Sequence, residues 1–114
     1  MTVDKRIRDA LTPFGDEVYN GVSYATGGRY YVFSYVTIPA DFGDDGPEHE
    51  RYLVQVHFFA PLGENITARK KATCRALRAA GLTWPETQDA SDSEKRHIVF
   101  ECEIAEGVDG DGDV

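Results

Sequence analysis

Histidine and carboxylate are the side chains here that could do chemistry, and two alternating runs bring them within reach of each other. In RYLVQVHFFAP, residues 51–61, Tyr52, Val54, Val56 and Phe58 fall on one face at period two, and Leu53, Gln55, His57 and Phe59 fall on the other. In HIVFECEIA, residues 97–105, Ile98, Phe100, Cys102 and Ile104 point inward, and Val99, Glu101 and Glu103 point outward. If these strands are neighbours, His57 meets a carboxylate, and a His–Glu pair can act as general acid and base. No serine, cysteine or threonine is placed beside His57 as a nucleophile. A half-exposed sheet face, or one paired with a partner, is the simpler reading of the same pattern.

Other chemistries find less support. His49, His57 and His97 show no HExxH or related ligand spacing. Asp109-Gly110-Asp111-Gly112-Asp113 starts like a calcium loop but lacks the later glycine and the bidentate glutamate, so it reads as a solvated acidic tail. The segment DFGDDGPEHE, residues 41–50, carries carboxylates with no repeat to fix ligands. Gly27-Gly28 is not GxGxxG, and no GKS or GKT follows a glycine pair. No catalytic, cofactor-binding or metal residue is therefore assigned, and no cofactor is expected. Cys74 and Cys102 lie on different elements and form no CxxC; they read as reduced packing residues, with a disulfide or metal pair as the alternative.

Charge is unevenly spread. The 114 residues carry a net charge of -8, which opposes binding of nucleic acid or anionic lipid by the surface as a whole. Yet Arg69, Lys70, Lys71, Arg75 and Arg78 make five of the twelve basic residues, in one helical segment. Either they form a solvated outer face, or a positive patch meets an acidic loop on another copy of the chain. The interface residues expected on that second reading are Arg69, Lys71, Arg75 and Arg78 against Asp41, Asp44 and Asp45. Such a patch-to-loop contact is heterologous and makes rings when the rotation closes. No apolar run is long enough for a membrane span, and the first residues lack the apolar core of a signal peptide.

The elements that must position these residues follow from periodicity. Val3, Ile7, Ala10, Leu11 and Phe14 predict a short helix over residues 3–12, capped by Thr2 and stopped by Pro13 and Gly15. Residues 17–24 are a weak strand broken by Asn20-Gly21, and Thr26-Gly27-Gly28 is a second break. Residues 29–38, dense in β-branched and aromatic side chains, predict a central strand ended by Pro39. Residues 41–50 predict a polar loop, and residues 51–60 the next strand. A helix over 65–80 starts at Asn65 and ends at Gly81, with Ile66, Thr73, Ala76, Leu77 and Ala80 on the inner side and Lys71, Arg75 and Arg78 opposite. Trp84 is expected as a core or rim anchor. Residues 86–90 form a short strand, 91–95 a turn, and 97–105 the last strand; the polar residues beyond it are expected to be disordered. This order predicts one α+β domain over residues 1–106: a single mostly antiparallel sheet of four to five strands with two helices on one face, and an acidic tail over 107–114.

Three stretches together carry a resemblance: YYVFSYVTIPADFGDDGPEHERYLVQVHFFAP, AAGLTWPE and KRHIVFECEI. Over residues 11–105 the chain resembles small tail proteins of siphophages and prophages, from the head–tail joining, tail-completion and tail-terminator group. The most specific parts are Pro39-Ala40-Asp41-Phe42, Gln55-Val56-His57, Ala60-Pro61 and residues 96–103. The resemblance implies a tail-terminator-like α+β fold and a structural role. It implies a ring, typically a hexamer, that caps the tail tube and meets the head connector. It implies no enzymatic activity, no cofactor, no membrane and no direct nucleic acid contact, and a place in the bacterial cytoplasm and the virion. The alternative drawn from the residues is a small cytosolic enzyme or ligand-binding module using the His57 face. It requires a concave pocket in which His57 bonds a carboxylate.

Overall fold

The computed structural model describes residues 2–22, 27–43 and 46–107, with backbone alone over 38–43, 46–50 and 105–107. Helix α1 (Val3–Leu11) begins where the Thr2 hydroxyl accepts from the Lys5 amide at 3.1 Å. Such a cap is worth about 1 kcal/mol. Val3, Ile7 and Leu11 form its buried stripe, and Pro13 sits in the 3-10 turn Thr12–Phe14 that ends it. The strands are β1 (Glu17–Asn20), β2 (Tyr30–Gly43), β3 (Gly46–Pro61), β4 (Glu86–Asp89) and β5 (Lys95–Gly107), with α2 (Thr67–Ala79) between β3 and β4.

The sheet order is β1-β2-β3-β5-β4. β1 runs parallel to β2, and every other pairing is antiparallel. The fold is thus α+β with a five-stranded, mostly antiparallel sheet. Both helices lie on the same face: Ile7, Leu11, Cys74 and Leu77 share one core with Tyr31, Phe33, Val54, Val56, Phe58 and Phe100. The strand alternation read above sets that inner face, and Ile98, Phe100, Cys102 and Ile104 are all buried as expected.

Helix α2 ends in a Schellman motif. Gly81, at φ +102, donates to the Arg78 carbonyl at 3.1 Å, and Leu82 donates to the Leu77 carbonyl at 3.1 Å. Leu77 and Leu82 are both buried, which supplies the apolar contact this motif uses. The helix starts at Thr67, two residues later than expected; Asn65 Oδ1 accepts from the Thr67 amide at 3.0 Å.

Several expectations are corrected. The polar loop over 41–50 is instead the end of a long hairpin, paired to Gly43↔Gly46. Pro39 does not end pairing, because β1 covers β2 only from Tyr30 to Phe33; beyond that β2 is an edge, where a missing N–H costs no ladder bond. The register slips between Pro39 and Asp41 and again before Phe42. β5 runs to Gly107, so Glu106 and Gly107 belong to the sheet and not to a tail; its end is held by pairing with β3 at His49↔Gly107. The rest of that tail, residues 108–114, lies outside the described residues. The three long strands carry the molecule to 54 Å along its longest axis, against 24 and 23 Å across.

Candidate interaction site

Among the described residues, no helix covers the second sheet face. Register lays its side chains out in rows. Tyr30, Phe59 and His97 form one row, and Val32, His57 and Val99 the next. Ser34, Gln55, Glu101 and Glu86 form a third, and Val36, Leu53 and Glu103 a fourth.

The first end of this face closes on itself. Tyr30 stacks on Phe59 with centroids 4.8 Å apart, Phe59 on His97 at 4.2 Å, and Tyr19 meets Tyr30 edge-on at 6.4 Å. Lys95 Nζ lies 5.1 Å from the Phe59 ring and donates to Tyr30 Oη at 3.4 Å. Tyr30 is left 7 % exposed.

His57 belongs to this cluster, and its partner corrects the expected His–Glu pair. Gln55, not His57, stands opposite Glu101, and Gln55 Nε2 donates to Glu101 Oε2 at 2.8 Å. His57 Nδ1 instead shares a 2.8 Å hydrogen bond with His97 Nε2. Burial holds the His57 pKa below the ordinary 6.5, with the Glu101 charge opposing it. His97 is lowered too, by burial first and then by His57 and Lys95, with Asp92 and Asp89 opposing. Two neutral rings sharing one proton hold each other in place, so no carboxylate is there to orient His57 as a base.

The other end of the face is open. Val36 is 59 % exposed, Leu53 38 % and Trp84 53 %, so Trp84 is a rim residue and not part of the core. Pro85, next to Trp84, is buried. Trp84, just before β4, and Glu86 both line the uncovered side. These side chains border a shallow cleft of about 590 Å³ with Ser34, Gln55, Glu101 and Glu103. Its electrostatics are acidic. Glu86 and Glu101 are register partners across β4 and β5, and like charges directly opposite destabilise a strand pair. Arg51 Nε approaches Glu103 Oε1 at 3.4 Å across well-exposed surface, which screens the attraction.

The basic helix divides into two roles. Arg69 leaves the expected outer patch, because it turns inward. Its Nη1 bonds Asp16 Oδ2 at 2.5 Å, and its guanidinium lies 5.0 Å from the Phe14 ring and 5.1 Å from that of Phe58. Burial works against the charge, but hydrogen bonds to Asp16 and Tyr31 outweigh it and raise the Arg69 pKa above its ordinary value. The Tyr31 hydroxyl lies 2.8 Å from Thr73 Oγ1, which donates to the Arg69 carbonyl at 2.8 Å. Lys71, Arg75 and Arg78 do face outward, exposed, and pair with no carboxylate among the described residues. Of their expected partners, the Asp41 side chain and all of Asp44 and Asp45 lie outside the described residues.

Sequence reasoning missed the His57–His97 bond and the opposed glutamates. Both depend on register, and only the parity of each strand was readable from the chain. Cys74 and Cys102 are free and buried; burial, with smaller contributions from Cys74 and Glu103, pushes the Cys102 thiol up to about 12. Among the described residues no group of three or more His, Cys, Asp or Glu could hold a metal, and no helix is long and apolar enough to cross a membrane.

No family model and no curated protein matches the sequence. Solved structures match in fold, among them one that carries no functional name. It has a TM-score of 0.59 at 12% identity, over 89% of this chain and 90% of the other. At that identity the likeness speaks for the fold alone.

Proposed function

We propose that this chain is a structural component of phage or prophage tail assembly, of the tail-completion or tail-terminator kind. It works by associating with copies of itself and by docking on the tail tube or head–tail connector. Its place is then the host cytoplasm and the virion. The observation that carries the reading is the row of exposed cations Lys71, Arg75 and Arg78 on the outer side of α2, which pair with no carboxylate among the described residues, in a chain of net charge -8. Segregated charge sets register and encounter rate between protein surfaces. The motif resemblance and the α+β fold support the same reading.

The His57 alternative loses the hydrogen bond it required, because His97 stands where a carboxylate was needed. Neither histidine borders the cleft beside Trp84.

The test uses tail tubes. Electron micrographs of tubes mixed with the wild type should show capped ends of uniform length, and Arg75→Glu with Arg78→Glu should leave the ends bare while circular dichroism stays native. Tubes left uncapped by the wild type, or capped equally by the double variant, would refute the reading.

A further inference from the structure

We propose that the cleft at the open end of the uncovered sheet face receives the basic side of helix α2 from a second copy of this chain. The inference rests on the self-association above and names both of its surfaces. The acceptor is defined by a conflict inside the sheet. Glu86 and Glu101 face each other across β4 and β5, and Glu103 stands two residues further along β5 on the same side. A cation placed between them removes the repulsion that the fold itself builds in. Beside these carboxylates lie Val36, Leu53 and Trp84, each exposed and apolar, which gain by being covered.

The donor fits in charge and length. Lys71, Arg75 and Arg78 lie within eight residues of helix, a rise of about 10 Å over seven steps. Glu101 and Glu103 are separated by about 7 Å along the strand, with Glu86 about 5 Å to the side. Ala68 and Ala79, exposed on the same side of the helix, let its backbone approach the rim of the cleft. Asp41, Asp44 and Asp45 are not required by this contact.

Donor and acceptor lie on opposite layers of one molecule, the helix layer and the bare sheet face. The contact is therefore head to tail, and it either closes into a ring or runs on.

Trp84 is the chain's single tryptophan, so its fluorescence reports the cleft directly. At low ionic strength the wild type should sediment as larger species as concentration rises, with Trp84 emission moving to the blue, and about 0.5 M salt should reverse both. Arg75→Ala with Arg78→Ala removes the donor, and Glu86→Gln with Glu101→Gln removes the acceptor, without creating a new pair of opposite charges. Each variant alone should associate at least tenfold more weakly. Mixed in equal amounts, they should form dimers and stop there, because only one intact donor and one intact acceptor remain. Placing Trp84→Phe in the acceptor variant should leave the blue shift of the mixture intact.

Wild-type association by the acceptor variant, with Trp84 emission constant, would overturn the docking while leaving self-association standing. Mixtures that grow beyond dimers would overturn it too. A wild type monomeric at about 1 mM also overturns it, and the tail-assembly reading then stands or falls on the capping of tubes.

Discussion

Arg69 shows how far residue type can mislead about role. It sits among four other cations in the sequence, yet its side chain is 19 % exposed and its partner Asp16 13 %. Removing it leaves Asp16 the weaker contact to Arg29, whose Nε lies 3.9 Å from Asp16 Oδ1, and strips the cation from two aromatic faces. We expect Arg69→Ala to cost about 2–3 kcal/mol in urea denaturation. Arg75→Ala should leave the midpoint unchanged. Equal effects from the two would refute the division of labour along α2. The histidine pair carries a pH dependence of definite sign. Both imidazoles have folded pKa values below the ordinary 6.5, chiefly through burial. Below about 6.5 the unfolded chain binds more protons than the folded one, so stability is full above that value and falls as pH drops through the folded values. Ring-proton NMR should show both histidines titrating below the free imidazole, and thermal midpoints should decline across the same range. Titration above 6.5 would contradict the burial.

At the scale of elements, the hairpin and the helix end carry the lessons. The α2 terminus was readable because its signal is local: one glycine after the last helical turn, followed by an apolar residue. Gly81→Ala forces a side chain into a left-handed conformation, at a cost of about 1–2 kcal/mol. The added Cβ would lie 3.2 Å from Arg6 Nη1, a flexible end that can shift, so the backbone dominates. We expect a drop in thermal midpoint of about 5–10 °C. A midpoint unchanged by the substitution would argue against the motif. The far end of the β2–β3 hairpin was not readable, although both strands leading to it were. Residues 41–50 have the glycine, proline and charge of a loop, and no alternation. Their pairing is continued from the ladder already established at Ile38↔Arg51, which a local pattern does not contain. β1 was a weak strand signal, and its parallel pairing with β2 is a tertiary choice that no local pattern contains.

Across the whole molecule, the layers separate the charges. Helices cover one sheet face and present Lys71, Arg75 and Arg78 outward; the other face keeps Glu86, Glu101 and Glu103 beside bare apolar side chains. The net charge of -8 hides this arrangement. An association built on it should weaken with salt, since exposed charges are screened beyond about 8–10 Å at ordinary ionic strength. The chain by itself determined which residues enter the core, where both helices stop, and that the fold is α+β, because periods of two and of 3.6 residues are properties of neighbouring side chains. Only the tertiary structure decided that His57 meets His97, that Arg69 is spent on Asp16, and that Glu86 confronts Glu101. Those pairings depend on register and on packing between distant segments, and a shift of one residue would exchange every partner.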